Sequence, residues 1–117
     1  MPHHMLRAAD RPKDAPRTIK FEGAPYGTGI SFFAVVSDPG RRVGLHVHPY
    51  TETWIVQEGR VRFFAGDDMV EAGPGDIMVV EPETPHGFEN VGTDVLKMMC
   101  LHDSERIIQT FLDPDDA

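Results

Sequence analysis

Apolar positions along this chain fall in short alternating runs broken by turn residues. Thr18-Ile19-Lys20-Phe21 alternates, and Ile30 to Ser37 (ISFFAVVS) is a near-continuous apolar run of strand length. The first predicts a strand; the second predicts a buried one. Asp38-Pro39-Gly40 follows as a turn, because Pro presets φ and Gly admits φ > 0. Arg60 to Ala65, Met69 to Glu71 and Ile77 to Val80 read as three more strands, separated by Gly66-Asp67-Asp68 and by Ala72 to Asp76. Asp94 to His102 is the last long strand, with Leu96, Met98, Cys100 and His102 on one face. Beyond it, Ser104 with Asp103 nearby predicts the cap of a short helix through Leu112. Ile107, Ile108, Phe111 and Leu112 would form its apolar stripe. Turn signals recur roughly every eight to twelve residues, the spacing of a sandwich or small barrel.

Length turns this pattern into one domain: 117 residues bury roughly two-thirds of their unfolded surface. Residues 1–17 are Pro-rich and charged and predict a loosely held, flexible arm, with His3 and His4 solvated. The domain proper would be 18–112, and 113–117 an acidic tail. Eleven basic against nineteen acidic residues give a net charge of −8. That argues against nucleic acid as a partner, since phosphate binding draws on Lys and Arg, and against anionic membrane surfaces. Cys100 is the single cysteine, so no intrachain disulfide forms and a reducing compartment is the simpler expectation. No stretch approaches the ~20 apolar residues of a membrane span, and the first residues lack the apolar core of a signal peptide. A cytoplasmic location follows as an expectation by default.

Candidate chemistry is concentrated between Gly40 and Gly59. His46 and His48 are two apart, so on a strand both imidazoles face one way. Pro49, Tyr50 and Thr51 supply a turn, and Glu52 opens a second strand continuing through Thr53 to Val56. A hairpin folding Glu52 over the two histidines would gather two neutral nitrogens and a carboxylate, ligands that a divalent first-row metal accepts. His86, after the turn-forming run EPETP, is the strongest candidate for a fourth ligand.

On these residues the chain resembles a small single-domain cupin. The first cupin motif, G-x5-H-x-H-x3-E-x6-G, is matched by Gly40, His46, His48, Glu52 and Gly59. The second, G-x5-P-x-G-x2-H-x3-N, is matched by Gly75, His86 and Asn90. Glu81 stands where the family has Pro, and Glu83 where it has Gly, a residue that often marks φ > 0. The resemblance implies an all-β double-stranded β-helix, or jelly-roll barrel, to which the chain pattern adds the short C-terminal helix. It also implies a homodimer, with Thr18 to Phe21 available for strand exchange.

The expected metal ligands are His46, His48, Glu52 and His86, holding Fe, Mn, Ni, Cu or Zn, which nitrogen-rich ligation does not separate. Phe32, Tyr50, Trp54, Phe88 and Met98 are candidates to line a pocket, although most side chains in a small barrel simply fill it. Glu52 or His102 are candidates to shuttle a proton, the competing reading of His102 being a histidine at the barrel rim. Cys100 reads as an inert buried thiol, and Arg41 and Arg42 as a solvated pair able to steer an anion. The implied function is a metal-dependent enzyme acting on a small organic molecule, first as a dioxygenase, then as an isomerase or cyclase. A non-catalytic module binding a small ligand or metal is the competing class.

Overall fold

A computed structural model describes residues 2–117. Among these, ten strands are formed: β1 (Ile19–Phe21), β2 (Ser31–Ser37), β3 (Arg42–Val47), β4 (Glu52–Glu58), β5 (Val61–Ala65), β6 (Asp68–Ala72), β7 (Ile77–Val80), β8 (His86–Asn90), β9 (Leu96–His102) and β10 (Thr110–Phe111). They make two antiparallel sheets, ordered β1-β2-β9-β4-β7 and β10-β3-β8-β5-β6, which face one another as a jelly roll. Among the described residues, no helix is long and apolar enough to cross a membrane.

Sequence alternation becomes burial directly. On β9, Leu96, Met98, Cys100 and His102 are buried while Lys97 between them is exposed. On β4, Glu52, Trp54 and Val56 point inward. One end of the interior is apolar, built from Val35, Val56, Val61, Leu96 and Met98. The other end carries a buried polar set containing His46, His48, Glu52, His86 and His102. Among the motif residues, Asn90 holds two turns. Its Nδ2 donates to the carbonyls of Ser37 (2.9 Å) and Asp94 (3.0 Å), and its Oδ1 accepts from the Gly92 amide. Gly59, at φ 93°, passes so close to Val95 and Leu96 that a Cβ would meet backbone at 2.9 and 3.0 Å.

Two expectations are corrected here. The strands flanking Pro49 to Thr51 are not a hairpin: β3 pairs with β8 and β10, whereas β4 pairs with β9 and β7 in the opposite sheet. The turn crosses between the two walls, and Glu52 meets the histidines face to face across the barrel. Nor is there a helix through Leu112. Residues 103–109 run as bends and extended chain into β10, which pairs with β3 at His46 and Val47; only Pro114–Asp116 forms a 3-10 turn. Ser104 accepts from the Arg106 amide in a local turn and caps nothing longer. Ile107 and Ile108 are β-branched and extended, and their amides bond to Glu22 and Tyr50, not to a helical turn. The predicted strand at Thr18 to Phe21 is present as β1, paired within the chain to β2.

Candidate metal centre

The four expected ligands converge. One ligand atom from each of His46, His48, Glu52 and His86 lies within 4.8 Å of all the others, and all four residues are buried. Strands supply the positions. His46 and His86 are register partners on β3 and β8, His48 follows the end of β3, and Glu52 opens β4 on the opposite wall. A bulge in β3 between Val43 and His46 lets the Gly44 carbonyl reach His46 Nδ1 at 2.8 Å. Gly87 faces that bulge, and a Cβ there would meet the Val43 carbonyl at 2.5 Å.

Each of the three imidazoles is fixed through Nδ1 on a backbone carbonyl: His46 on Gly44 (2.8 Å), His48 on Ile108 (2.7 Å), His86 on Thr84 (2.8 Å). A carbonyl only accepts, so Nδ1 carries the proton in all three, and the Nε2 lone pair of the neutral ring is left for the centre. Opposite them, Glu52 Oε1 lies 3.0 Å from His48 Nε2 and 2.8 Å from His86 Nε2. Its other oxygen, Oε2, accepts from the Trp54 indole at 2.7 Å.

This is where a cation belongs. Bare nitrogen lone pairs facing a carboxylate oxygen repel unless a positive charge lies between them, and His48 Nε2 has no hydrogen-bond partner. Two ligands at right angles on one ion, each bonded at about 2.1 Å, sit about 3 Å apart, which is the spacing seen from Oε1 to the two nitrogens. The donor set of three nitrogens and one oxygen therefore fits a divalent transition metal.

Electrostatics agree. Burial lowers the His46 pKa to about 4, helped by His86 and His48 and opposed by the Gly44 bond and Glu52. With no ion bound, burial alone would raise Glu52, but protons shared with it by the His102, His48 and His86 imidazoles outweigh that and hold the carboxyl well below its usual range, the stabilisation a bound cation takes over. Burial, then Glu52, pushes the Cys100 thiol far up, so it is an inert buried side chain at neutral pH.

A model of the cupin domain matches residues 33–102, more than half of the chain and all four of these residues. The chain belongs to the cupin domain family. An uncharacterized protein of Methanocaldococcus jannaschii is similar, 36% identical over 76 residues; the match covers 63% of this chain and 60% of that one. Among solved structures, oxalate oxidase in complex with the substrate analogue glycolate superposes with a TM-score of 0.72 at 20% identity, covering 81% of this chain and 54% of that one. Oxalate decarboxylase of Lactobacillus farciminis, in a formate complex, gives 0.73 at 20% identity, covering 87% and 32%. An uncharacterized conserved protein from Klebsiella pneumoniae with a double-stranded β-helix domain gives 0.72 at 20%, covering 95% of this chain and 99% of that one. At these identities the superpositions speak for the fold.

The cupin centre opens onto a cavity of about 520 Å³ that touches His46, Glu52 and His102. Trp54 and Phe88 line it as expected. Phe32 and Met98 do not: Phe32 faces outward and stacks on Phe21, and Met98 is fully buried in the apolar end. The inward positions on β2 are Ser31, Phe33 and Val35, and the last two line the cavity. Tyr50 lies behind His102, its hydroxyl 2.6 Å from Nδ1. Phe111, missed when its segment was read as a helix, packs on His46 with ring centres 4.9 Å apart. Arg17, Arg41 and Arg42 stand at the cavity entrance; Arg17 pairs with Asp38 at 2.7 Å.

Glu83 occupies the left-handed region at φ 63°. Its amide donates to the His48 carbonyl at 2.8 Å, so the loop before His86 keeps the conformation a Gly would adopt more easily.

Proposed function

We propose that this cupin is a metal-dependent enzyme acting on a small organic molecule in the cavity, with dioxygenase chemistry first. The observation that carries the reading is the join between three Nδ1-anchored imidazoles with one carboxylate and a cavity walled by Phe33, Val35, Trp54 and Phe88. When bound, a divalent ion supplies Lewis acidity and, if it is Fe, Mn, Ni or Cu, electrons for O₂ chemistry.

The chain's own residues do the rest. His46, His48, Glu52 and His86 hold the ion, and the aromatic walls exclude water around the organic part of the substrate. Arg42 stands four residues before His46 on β3, roughly 13 Å away by strand rise. Arg42 and Arg17 pair with Asp116 (3.7 Å) and Asp38 (2.7 Å), and Arg41, with no acidic partner among the described residues, is the cation that favours a substrate carboxylate at the cavity, although the chain is acidic overall. Glu52 Oε2 accepts from the Trp54 indole while Oε1 faces the His48 and His86 nitrogens, which suits a ligand better than a proton shuttle.

The test loads protein separately with Fe²⁺, Mn²⁺, Ni²⁺ and Cu²⁺ and follows O₂ consumption with oxalate, glycolate and larger aromatic and aliphatic carboxylates. Substrate-dependent O₂ uptake that disappears on metal removal is the expected result. Reversible ligand binding with no O₂ uptake and no turned-over product would favour a non-catalytic module and overturn the enzyme reading.

A further inference from the structure

Four buried histidines and one buried glutamate meet at the polar end of the barrel, and the metal reading uses four of these five. The fifth, His102 on β9, is as buried as the others at 1% exposure. It is the register partner of Glu52 on the same sheet; its Nε2 lies 3.2 Å from Glu52 Oε2 but, like His48 Nε2, makes no well-aligned hydrogen bond among the described residues. Its Nδ1 lies 2.6 Å from the Tyr50 hydroxyl, and that hydroxyl oxygen also takes the Ile108 amide at 3.1 Å.

Proton directions follow from this chain of contacts. An amide N–H only donates, so Tyr50 Oη accepts from Ile108 and its own proton is free for His102 Nδ1. With Nδ1 accepting, a neutral His102 carries its proton on Nε2, 3.2 Å from a carboxylate oxygen. The opposite tautomer would set a bare nitrogen against that oxygen in a buried site, a repulsive contact. His48 has the reverse arrangement: its Nδ1 donates to the carbonyl of the same Ile108. Ile108 thus acts on both imidazoles, on His48 directly through its carbonyl and on His102 through the Tyr50 hydroxyl to which its amide donates.

We propose that His102 is a positioning residue: its Nε2–H, beside the Trp54 indole N–H, claims Glu52 Oε2, so that Glu52 offers only Oε1 to the ion. The consequence rests on the metal reading above; the tautomer does not. With two donors on Oε2, the carboxylate binds through one oxygen and the positions facing the cavity stay open for substrate. The extended strap of residues 105–112 is then part of the centre, because the donor chain begins on its backbone.

Long-range ¹H–¹⁵N correlation on the metal-free protein reads the tautomers directly. His102 is expected with Nε2 protonated and Nδ1 bare, and His48 with Nδ1 protonated. A His102 protonated on Nδ1 alone overturns the proposal, whether or not a metal binds. Zn²⁺ is then titrated in: the Nε2 signals of His46, His48 and His86 should shift while His102 keeps its Nε2 proton. Loss of that proton would make His102 a ligand and also overturn the proposal. If no imidazole responds to Zn²⁺, the metal reading fails by itself, and the metal-free spectrum still decides the tautomer. In a third arm, Zn²⁺ affinity is compared across variants shown to be folded by circular dichroism. His102→Leu should weaken it roughly 10–100-fold, and His102→Gln, which retains an N–H donor, should recover most of the loss. Equal affinity in His102→Leu and wild type, or no recovery with Gln, contradicts the positioning role.

Discussion

The two ends of the barrel share the same strands and are built on opposite rules. At one end Val56, Val61, Leu96 and Met98 are buried with nothing to satisfy but shape. At the other, four histidines and a glutamate are buried almost as deeply; each imidazole Nδ1 has a named partner, while the Nε2 atoms of His48 and His102 have none among the described residues. The apolar end stabilises the fold through burial; the polar end depends on that stability and spends it on arranging lone pairs. Strands cross both ends, so β9 places Leu96 in one and His102 in the other.

Substitutions should separate the two. Leu96→Ala or Met98→Ala is expected to cost about 2–5 kcal/mol in urea unfolding, with metal stoichiometry per folded chain unchanged. If the metal is lost as well, the ends are not separable. Asn90→Ala removes the buried amide that joins the Ser37 and Asp94 carbonyls to the Gly92 amide and should cost about 1–3 kcal/mol, again without altering the metal. Glu52→Gln does the reverse: metal affinity should fall by more than the roughly 10–100-fold typical of outer-shell partners, while the metal-free barrel remains folded.

Acid provides a subtler separation in the metal-free protein. Folded His46 stays neutral down to about pH 4, whereas the unfolded residue takes its proton near its ordinary 6.5. The unfolded chain therefore binds more protons between these values, and stability should fall as pH drops from 6.5 toward 4. Glu52, held below its ordinary range, removes further stability below about pH 4.5, where the unfolded carboxyl protonates. Urea midpoints at pH 7 and pH 5 should differ in wild type and less so in His46→Asn; an equal drop in both would contradict the assignment. The smallest effect is at Glu83, where replacement by Gly relieves a left-handed residue and should raise stability by about 1 kcal/mol, read as a higher urea midpoint.

Much of this was legible in the chain. Alternation alone marked most strands and the inward face of β9, and the spacing of His46, His48, Glu52 and His86 brought out the ligand set before any coordinates. What sequence could not show was which sheet a strand joins. β3 and β4 are neighbours in the chain, so a hairpin was the natural reading, yet each finds its hydrogen-bond partners tens of residues away. The stripe at Ile107, Ile108, Phe111 and Leu112 fits a helical period, but the backbone there is committed to Glu22, Tyr50 and His48. Those partners are distant in sequence, and with them the part that Phe111 and Ile108 play in the centre stayed hidden. Phe32 was the pocket candidate on β2, but the pairing of β2 with β9 turns it outward and its neighbour Phe33 inward.

The central claim is that three anchored imidazoles and one carboxylate grip a single ion. Its most direct test is equilibrium metal binding to stripped protein, in wild type and His48→Ala, with metal content counted per folded chain. The account predicts one divalent transition-metal ion per wild-type chain and none held by a folded His48→Ala variant. A wild-type barrel that takes up no ion, or a variant that still binds one, would contradict it.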